Sequence, residues 1–219
     1  MRKKLERFAD NEQRQNIVQP GKEIFESIKG NWQQFFGNNH PIVFELGCGR
    51  GEYTVGLARR FPDLNFVGVD VKGSRIWVGS TLAEEEKLDN AAFLRIRILE
   101  IEKSVAEDEL SQIWITFPDP RPKKRDVNRR LTSPRFMNIY KKILKPGGVV
   151  HFKTDNSMLF DFTMEHLQQR HDIDNLSFTR DYHQSDFAKE LPDIRTKYER
   201  QFMDQGFKIK YLRFHFNRS

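Results

Sequence analysis

The sequence predicts an α/β protein built on a doubly wound, mostly parallel sheet, and three observations carry that prediction. From residue 42 onward, apolar runs of strand length alternate with helical patterns. The first run, 42–46, opens into a glycine-dense turn with Gly47, Gly49 and Gly51 ahead of a helix. A later run, 113–117, stops at Pro118-Asp119-Pro120 and passes into a dense basic segment that ends at Arg130. In open sheets of this class ligands sit outside the carboxyl ends of the strands, so both turns are candidate site loops.

The elements follow in order. Residues 1–37 are polar with scattered aromatics and read as a loosely attached N-terminal arm followed by a helix over about 21–35, and 38–219 read as one domain. Then come strand 42–46, helix 53–60, strand 65–70, helix 73–88, strand 93–98 and strand 112–117. A helix over 134–143 starts at a proline and is stopped by Lys145-Pro146-Gly147-Gly148. Strand 149–153 ends in Thr154-Asp155, and helix 157–169 and strand 174–179 follow. A loop-rich stretch over 180–195 and a short helix over 196–205 lead to 208–216, whose alternation marks a strand. No internal repeat, low-complexity tract or dividing linker interrupts the series.

A chain of 219 residues is long enough for one sizeable core, and its 19 Phe and 3 Trp supply bulky material for it. The net charge of +6 is concentrated: Arg121, Lys123, Lys124, Arg125, Arg129, Arg130 and Arg135 face only Asp126 as a nearby acid. A run of charge is usually a solvated face, but one that begins at a strand-end carboxylate favours a polyanion, here nucleic acid. The N-terminus has no apolar signal core and no later stretch has the length of a membrane span. The single cysteine, Cys48, suits a reducing cytoplasm, so a cytoplasmic location is expected. Six histidines show no metal-ligand spacing, and no metal is expected.

The glycine turn is one residue short of the dinucleotide fingerprint and is flanked by Glu45 and Glu52. Carboxylates would repel a pyrophosphate but attract a sulfonium and an amino group, so the electrostatics favour S-adenosylmethionine over a nicotinamide dinucleotide. Asp70 ends the next strand, where an acid can accept from ribose hydroxyls of either cofactor. Asp119 is a candidate active-site acid, with plain turn formation between two prolines as the alternative.

Four segments in order then resemble the bacterial tRNA (guanine-N7)-methyltransferases: FELGCGRG at 44–51, ITFPDPRPKKR at 115–125, HFKTDN at 151–156 and Thr196-Lys197-Tyr198-Glu199. The first is common to many methyltransferases, and the second together with the fourth is specific. The resemblance implies a Rossmann-like class I methyltransferase fold with a seven-stranded, mostly parallel sheet whose last strand is antiparallel. It implies transfer of a methyl group from S-adenosylmethionine to N7 of guanine in the variable loop of tRNA, position 46 in tRNA numbering. By the same resemblance, Glu45, Gly47, Gly49, Asp70, Arg97 and Asp119 would hold the donor, with Asp119 catalytic. Lys123, Asp155, Thr196, Lys197, Tyr198 and Glu199 would meet the substrate, and Arg125, Asp126, Val127, Asn128, Arg129 and Arg130 would touch RNA. Two positions depart from the pattern. Arg121 stands where the family usually has Trp, and Arg97-Ile98-Leu99-Glu100 stands where it usually has a Gly-Asp pair that helps hold adenosine.

Two other classes compete. A methyltransferase for a small molecule or protein explains the glycine turn but not the basic run. A catalytically silent RNA-binding module explains the basic run but not the joint presence of Asp119, Asp155 and Glu199.

Overall fold

Strands buried along their whole length belong in the interior of a parallel sheet. Ile42–Leu46 (β2) is buried at every position, and Asn65–Asp70 (β3) at every position but its terminal Asp70. The computed structural model describes residues 4–191 and 193–217. The remaining strands are Ile17–Val18 (β1), Ala91–Arg95 (β4), Leu110–Thr116 (β5), Leu144–Thr154 (β6), Ile173–Thr179 (β7) and Lys210–Phe216 (β8). Among the described residues they form one sheet in the order β1-β4-β3-β2-β5-β6-β8-β7. The pairs β1 to β6 are parallel, and β8 runs antiparallel between β6 and β7. The antiparallel last strand is as expected. The eighth strand is β1, a two-residue edge pairing of Ile17 with Phe93 and Val18 with Leu94, too short to leave a sequence pattern.

Helices Lys4–Gln13 (α1), Glu23–Ser27 (α2), Trp32–Phe36 (α3), Glu52–Arg60 (α4), Gly73–Glu85 (α5), Pro134–Ile143 (α6), Ser157–Gln168 (α7), Phe187–Glu190 (α8) and Lys197–Asp204 (α9) complete the framework. One core layer packs Phe44, Ile113, Phe152 and Phe214 against Trp32, Tyr140 and Phe160. The other packs Phe66, Phe93, Trp114 and Tyr211 against Tyr53 and Leu57 of α4 and Ile76 of α5. This second layer also carries the ionisable groups discussed below.

The N-terminal arm differs from expectation. Residues 4–13 are helical and docked on α5: Asn11 Nδ2 donates to Gly73 O at 2.9 Å, Trp77 Nε1 donates to Asp10 Oδ2 at 2.9 Å, and Arg14 pairs with Glu84 at 2.6 Å. The Arg7 guanidinium lies 4.6 Å over the Trp77 ring. The helix read over 21–35 is two short ones, because the chain turns at Gly30 with φ +79°, where a side chain is disfavoured. The strand expected over 93–98 ends at Arg95, and Ile98–Lys103 form a 3-10 turn. Strand β6 begins five residues early, at Leu144, and absorbs the Pro-Gly-Gly stop in a register shift against β5.

Candidate active site

The sheet order reverses between β2 and β5, and a cleft of about 670 Å³ opens there at the carboxyl ends of the strands. Its walls come from the turn after β2, the ends of β3 and β6, the turn after β5 and the first turn of α9.

The glycine turn is pinned from below, with Gly47 N and Cys48 N both donating to Val69 O, at 2.8 and 3.0 Å. Gly51 is required twice over. Its φ is +73°, and a Cβ there would sit 2.5 Å from the Phe93 ring. At Gly49 a Cβ would meet nothing, so the turn presents bare backbone to the cleft. Glu45 lies beneath it, buried and fully engaged. Its Oε2 accepts from Thr54 N at 2.9 Å and Thr54 Oγ1 at 2.5 Å, and its Oε1 accepts from Thr116 Oγ1 at 2.5 Å. Burial raises its pKa to about 7, with nearby Asp70 adding to the rise and the threonine bonds opposing it. Asp70 Oδ2 accepts from Gly49 N at 3.1 Å and Oδ1 from Lys72 N at 2.8 Å, which leaves lone pairs on both oxygens. Buried and half-exposed carboxylates beside an open glycine turn fit a donor with a cationic head and a ribose.

Glu45 predicts a pH dependence of stability. Its folded pKa lies above its unfolded value of 4.5, so the protonated form is favoured in the fold; the contribution of Glu45 to stability is fully present below pH 4.5 and is lost as pH rises through about 7. The shift is worth roughly 3 kcal/mol at most. Glu45→Gln should therefore unfold with a shallower loss of stability between pH 5 and 8 than the wild type. Urea titrations across that range giving parallel curves would refute the assignment.

The turn after β5 is strained at both ends. Phe117 and Arg121 have φ of +47° and +44°, left-handed values uncommon for residues with a Cβ. Between them Asp119 projects into the cleft with its side chain 68% exposed. Oδ1 accepts from Arg121 N at 3.2 Å, and the Arg121 guanidinium stands 3.7 Å from Oδ2. Asp155, half-buried at the end of β6, lines the opposite wall, and its pKa is raised by burial. Thr196 caps α9, its Oγ1 accepting from Glu199 N at 3.1 Å, and Lys197 N donates to Glu52 Oε2 at 2.6 Å, tying α9 to the start of α4. Thr196, Lys197 and Tyr198 line the cleft.

Other expected site residues, Arg129 apart, lie off the cleft wall. Ile98, not Arg97, is on the wall, while Arg97 is exposed at the head of the 3-10 turn. Lys123 is exposed at the head of a second 3-10 turn, Lys124–Arg129. Lys124, Arg125 and Asn128 are exposed on that turn and Arg129, also exposed, reaches the cleft wall, while Asp126 and Val127 are half-buried and Asp126 pairs with Arg129 at 3.1 Å. Arg130 departs from the cluster. It is buried, its Nε and Nη2 donate to Arg121 O at 3.3 and 3.1 Å, and its guanidinium lies 4.3 Å over Phe162. Those bonds brace the Asp119 turn and leave the guanidinium little reach toward a phosphate.

Glu199 does not reach the cleft surface. It is fully buried one turn below Thr196, where Oε1 accepts from Lys153 Nζ at 2.7 Å and His183 Nε2 at 3.1 Å. The surface pairing with Lys197 or Arg200 open to a helix glutamate is not what the fold uses. Burial lowers the pKa of Lys153, and Glu199 offsets part of that shift. Lys153 and His183 are the partners that sequence reasoning missed. A signal existed for Lys153, a lysine at a core position of a buried strand, but none distinguishes His183. Among the described residues no three His, Cys, Asp or Glu are grouped to hold a metal ion, and no helix is long and apolar enough to cross a membrane.

The family model described as a putative methyltransferase matches residues 39–212. A tRNA (guanine-N(7)-)-methyltransferase of Cytophaga hutchinsonii is 47% identical, covering 98% of each chain. The chain belongs to the tRNA (guanine-N7)-methyltransferase family. A second such enzyme, from Christiangramia forsetii, is 46% identical over 96% of each chain. Among solved structures, the 16S rRNA methyltransferase KamB superposes with a TM-score of 0.64 at 12% identity, over 86% of this chain and 93% of that one, a likeness of fold. The four segments that resembled the tRNA (guanine-N7)-methyltransferases all lie on or beneath this cleft or on the basic turn beside it.

Proposed function

We propose that this protein transfers a methyl group from S-adenosylmethionine to N7 of guanine in the variable loop of tRNA, in the cytoplasm. One observation carries the site assignment: a largely exposed carboxylate, Asp119, held by Arg121, stands in a cleft at the switch point directly before an exposed cationic turn. Glu45, the bare backbone at Gly47 and Gly49, and Asp70 form the donor side, with Ile98 on the wall where Arg97 was expected. Bound S-adenosylmethionine supplies an electrophilic methyl on a sulfonium.

Guanine N7 has a free lone pair and no proton, so the protein needs no base to create the nucleophile. The N7–methyl bond forms as the sulfur–methyl bond breaks, the bonding pair goes to sulfur, and positive charge passes into the purine. The protein's task is therefore to hold the base in line and to tolerate that charge. Asp119 serves the second need, as a solvent-facing carboxylate fixed by the Arg121 amide. Asp155, Thr196 and Tyr198 bound the base side, and Glu199, buried behind Thr196 with Oε2 unpartnered among the described residues, is the acceptor that a base inserted past the cleft wall would meet with its N1–H and N2 amine. Guanine presents those two donors side by side; adenine does not.

Incubating the protein with tRNA and S-adenosylmethionine and mapping N7-methylguanosine tests the proposal, with the modified base expected in the variable loop. Methyl incorporation into protein but not tRNA, or calorimetric silence toward the donor, would sink it.

The cationic turn makes a second prediction. Changing Lys124 and Arg125 together to Ala should weaken tRNA binding and reduce its salt slope by roughly one unit for each phosphate no longer neutralised, with donor affinity unchanged. Arg130 is excluded because it is committed inside the fold. An unaltered slope would return the turn to a solvated face.

A further inference from the structure

The ion pair beneath α9 uses only half of its carboxylate. Glu199 Oε1 takes both the Lys153 ammonium and His183 Nε2, while Oε2, equally buried, has no donor within hydrogen-bonding reach among the described residues. A buried carboxylate oxygen without a partner is costly, and a pair kept for stability would satisfy both oxygens. The surroundings sharpen the asymmetry. The Lys153 ammonium stands 4.1 Å over the Tyr182 ring and 5.8 Å from the centre of the Tyr53 ring, and the hydroxyls of both tyrosines are also buried and unpartnered among the described residues. Tyr53 and Thr196 reach the cleft on one side of this nest, while Glu199 and Lys153 lie behind them. The nest is a set of acceptors and hydroxyls beside the cleft, organised by one cation.

We propose that Lys153 is a positioning residue: by holding Oε1 it fixes the Glu199 carboxylate and leaves Oε2 unshared for the base. This rests on the reading that Glu199 recognises guanine, and it adds the residue that makes the recognition possible. The groups facing Glu199 from the packed elements are Lys153 of β6, Tyr53 of α4, Tyr182 and His183 of the turn before α8, and, further out, Asp193 and Arg195. Of these, Lys153 is the buried cation in direct contact. Without it the buried carboxylate lacks its counter-charge, and a carboxyl group neutralised in response offers guanine a hydroxyl where an acceptor is needed.

The experiment compares Lys153→Met, Lys153→Gln and the double variant Lys153→Met/Glu199→Gln with wild type, reading melting temperature and kcat/KM for tRNA methylation from pH 6 to 9.5. Lys153→Met should lose more than tenfold in kcat/KM at pH 7 and acquire an acid limb absent from wild type, with activity recovering toward alkaline pH. Lys153→Gln restores a donor to Oε1 and should recover part of the loss. The double variant has no buried charge to leave unpaired, so it should regain melting temperature but not activity. If Lys153→Met folds too poorly to assay, Lys153→Gln carries the pH test and the double variant the separation of stability from activity. A wild-type pH profile in both Lys153 variants overturns the proposal. If Glu199→Gln is then inactive, guanine recognition by Glu199 stands without Lys153. If instead the double variant regains activity together with its melting temperature, the pair is structural and both readings fall.

Discussion

Asp119→Ala is expected to lose about two orders of magnitude in kcat, the scale found on removing a preorganised charge from a transition state. The fold should be nearly untouched. Asp119 is largely solvent-facing, its carboxylate accepts from the Arg121 amide, and its contact with the Arg121 guanidinium is long and screened. The turn itself is held by Pro118, Pro120 and the Arg130 bonds to Arg121 O, none of which the substitution removes. Asp119→Asn is the sharper control, since it preserves shape and an acceptor for the Arg121 amide while deleting charge. It should fall nearly as far as Ala if the role is electrostatic. Single-turnover methyl transfer at saturating tRNA measures this step, and a near wild-type rate in Asp119→Ala would remove Asp119 from the chemistry.

The placement of Asp119 was legible because three local signals coincide there: an apolar run ends, prolines prevent its continuation, and positive charge becomes dense within a few residues. The same kind of coincidence, a strand meeting glycines, marked Glu45, Gly47, Gly49 and Asp70. Strands β2 and β3 and helix α6 were legible to the residue, since Pro, Gly or Asp stands at or near both ends of each. What could not be read is what depends on partners distant in sequence. Docking of α1 is decided by Trp77 and Gly73, more than sixty residues away, and β1 by two residues laid against β4. Arg130 looks like its basic neighbours in the sequence, and only the proximity of Phe162 and the Arg121 carbonyl turns it inward. Glu199 was singled out by its tetrad, yet its burial is fixed by Lys153 and His183, which come from β6 and the loop before α8.

That burial changes what Glu199→Gln should do. An amide keeps the side chain's shape and can still accept from Lys153 at Oε1, but it places an NH2 group where Oε2 stands, setting a donor against guanine's N1–H and N2 amine. Two hydrogen bonds to a charged acceptor, at roughly 1.5–3 kcal/mol each, are at stake, so kcat/KM for guanine should fall by about two orders of magnitude or more. The substitution also strips a buried ammonium of its counter-ion, a loss of several kcal/mol that Lys153 can relieve by releasing a proton, since burial already lowers its pKa. The melting temperature should therefore fall, more at low pH than at high. Activity must be measured well below that temperature, with donor binding checked by calorimetry to show that the cleft is intact. The decisive comparison is tRNA carrying inosine at the acceptor position, which lacks the N2 amine. Wild type should discriminate against it by tenfold or more, and Glu199→Gln should discriminate far less, because the group that reads the amine is gone. If the variant retains wild-type kcat/KM and full discrimination while folded, Glu199 is an anchor of α9 and guanine is read elsewhere on the cleft wall.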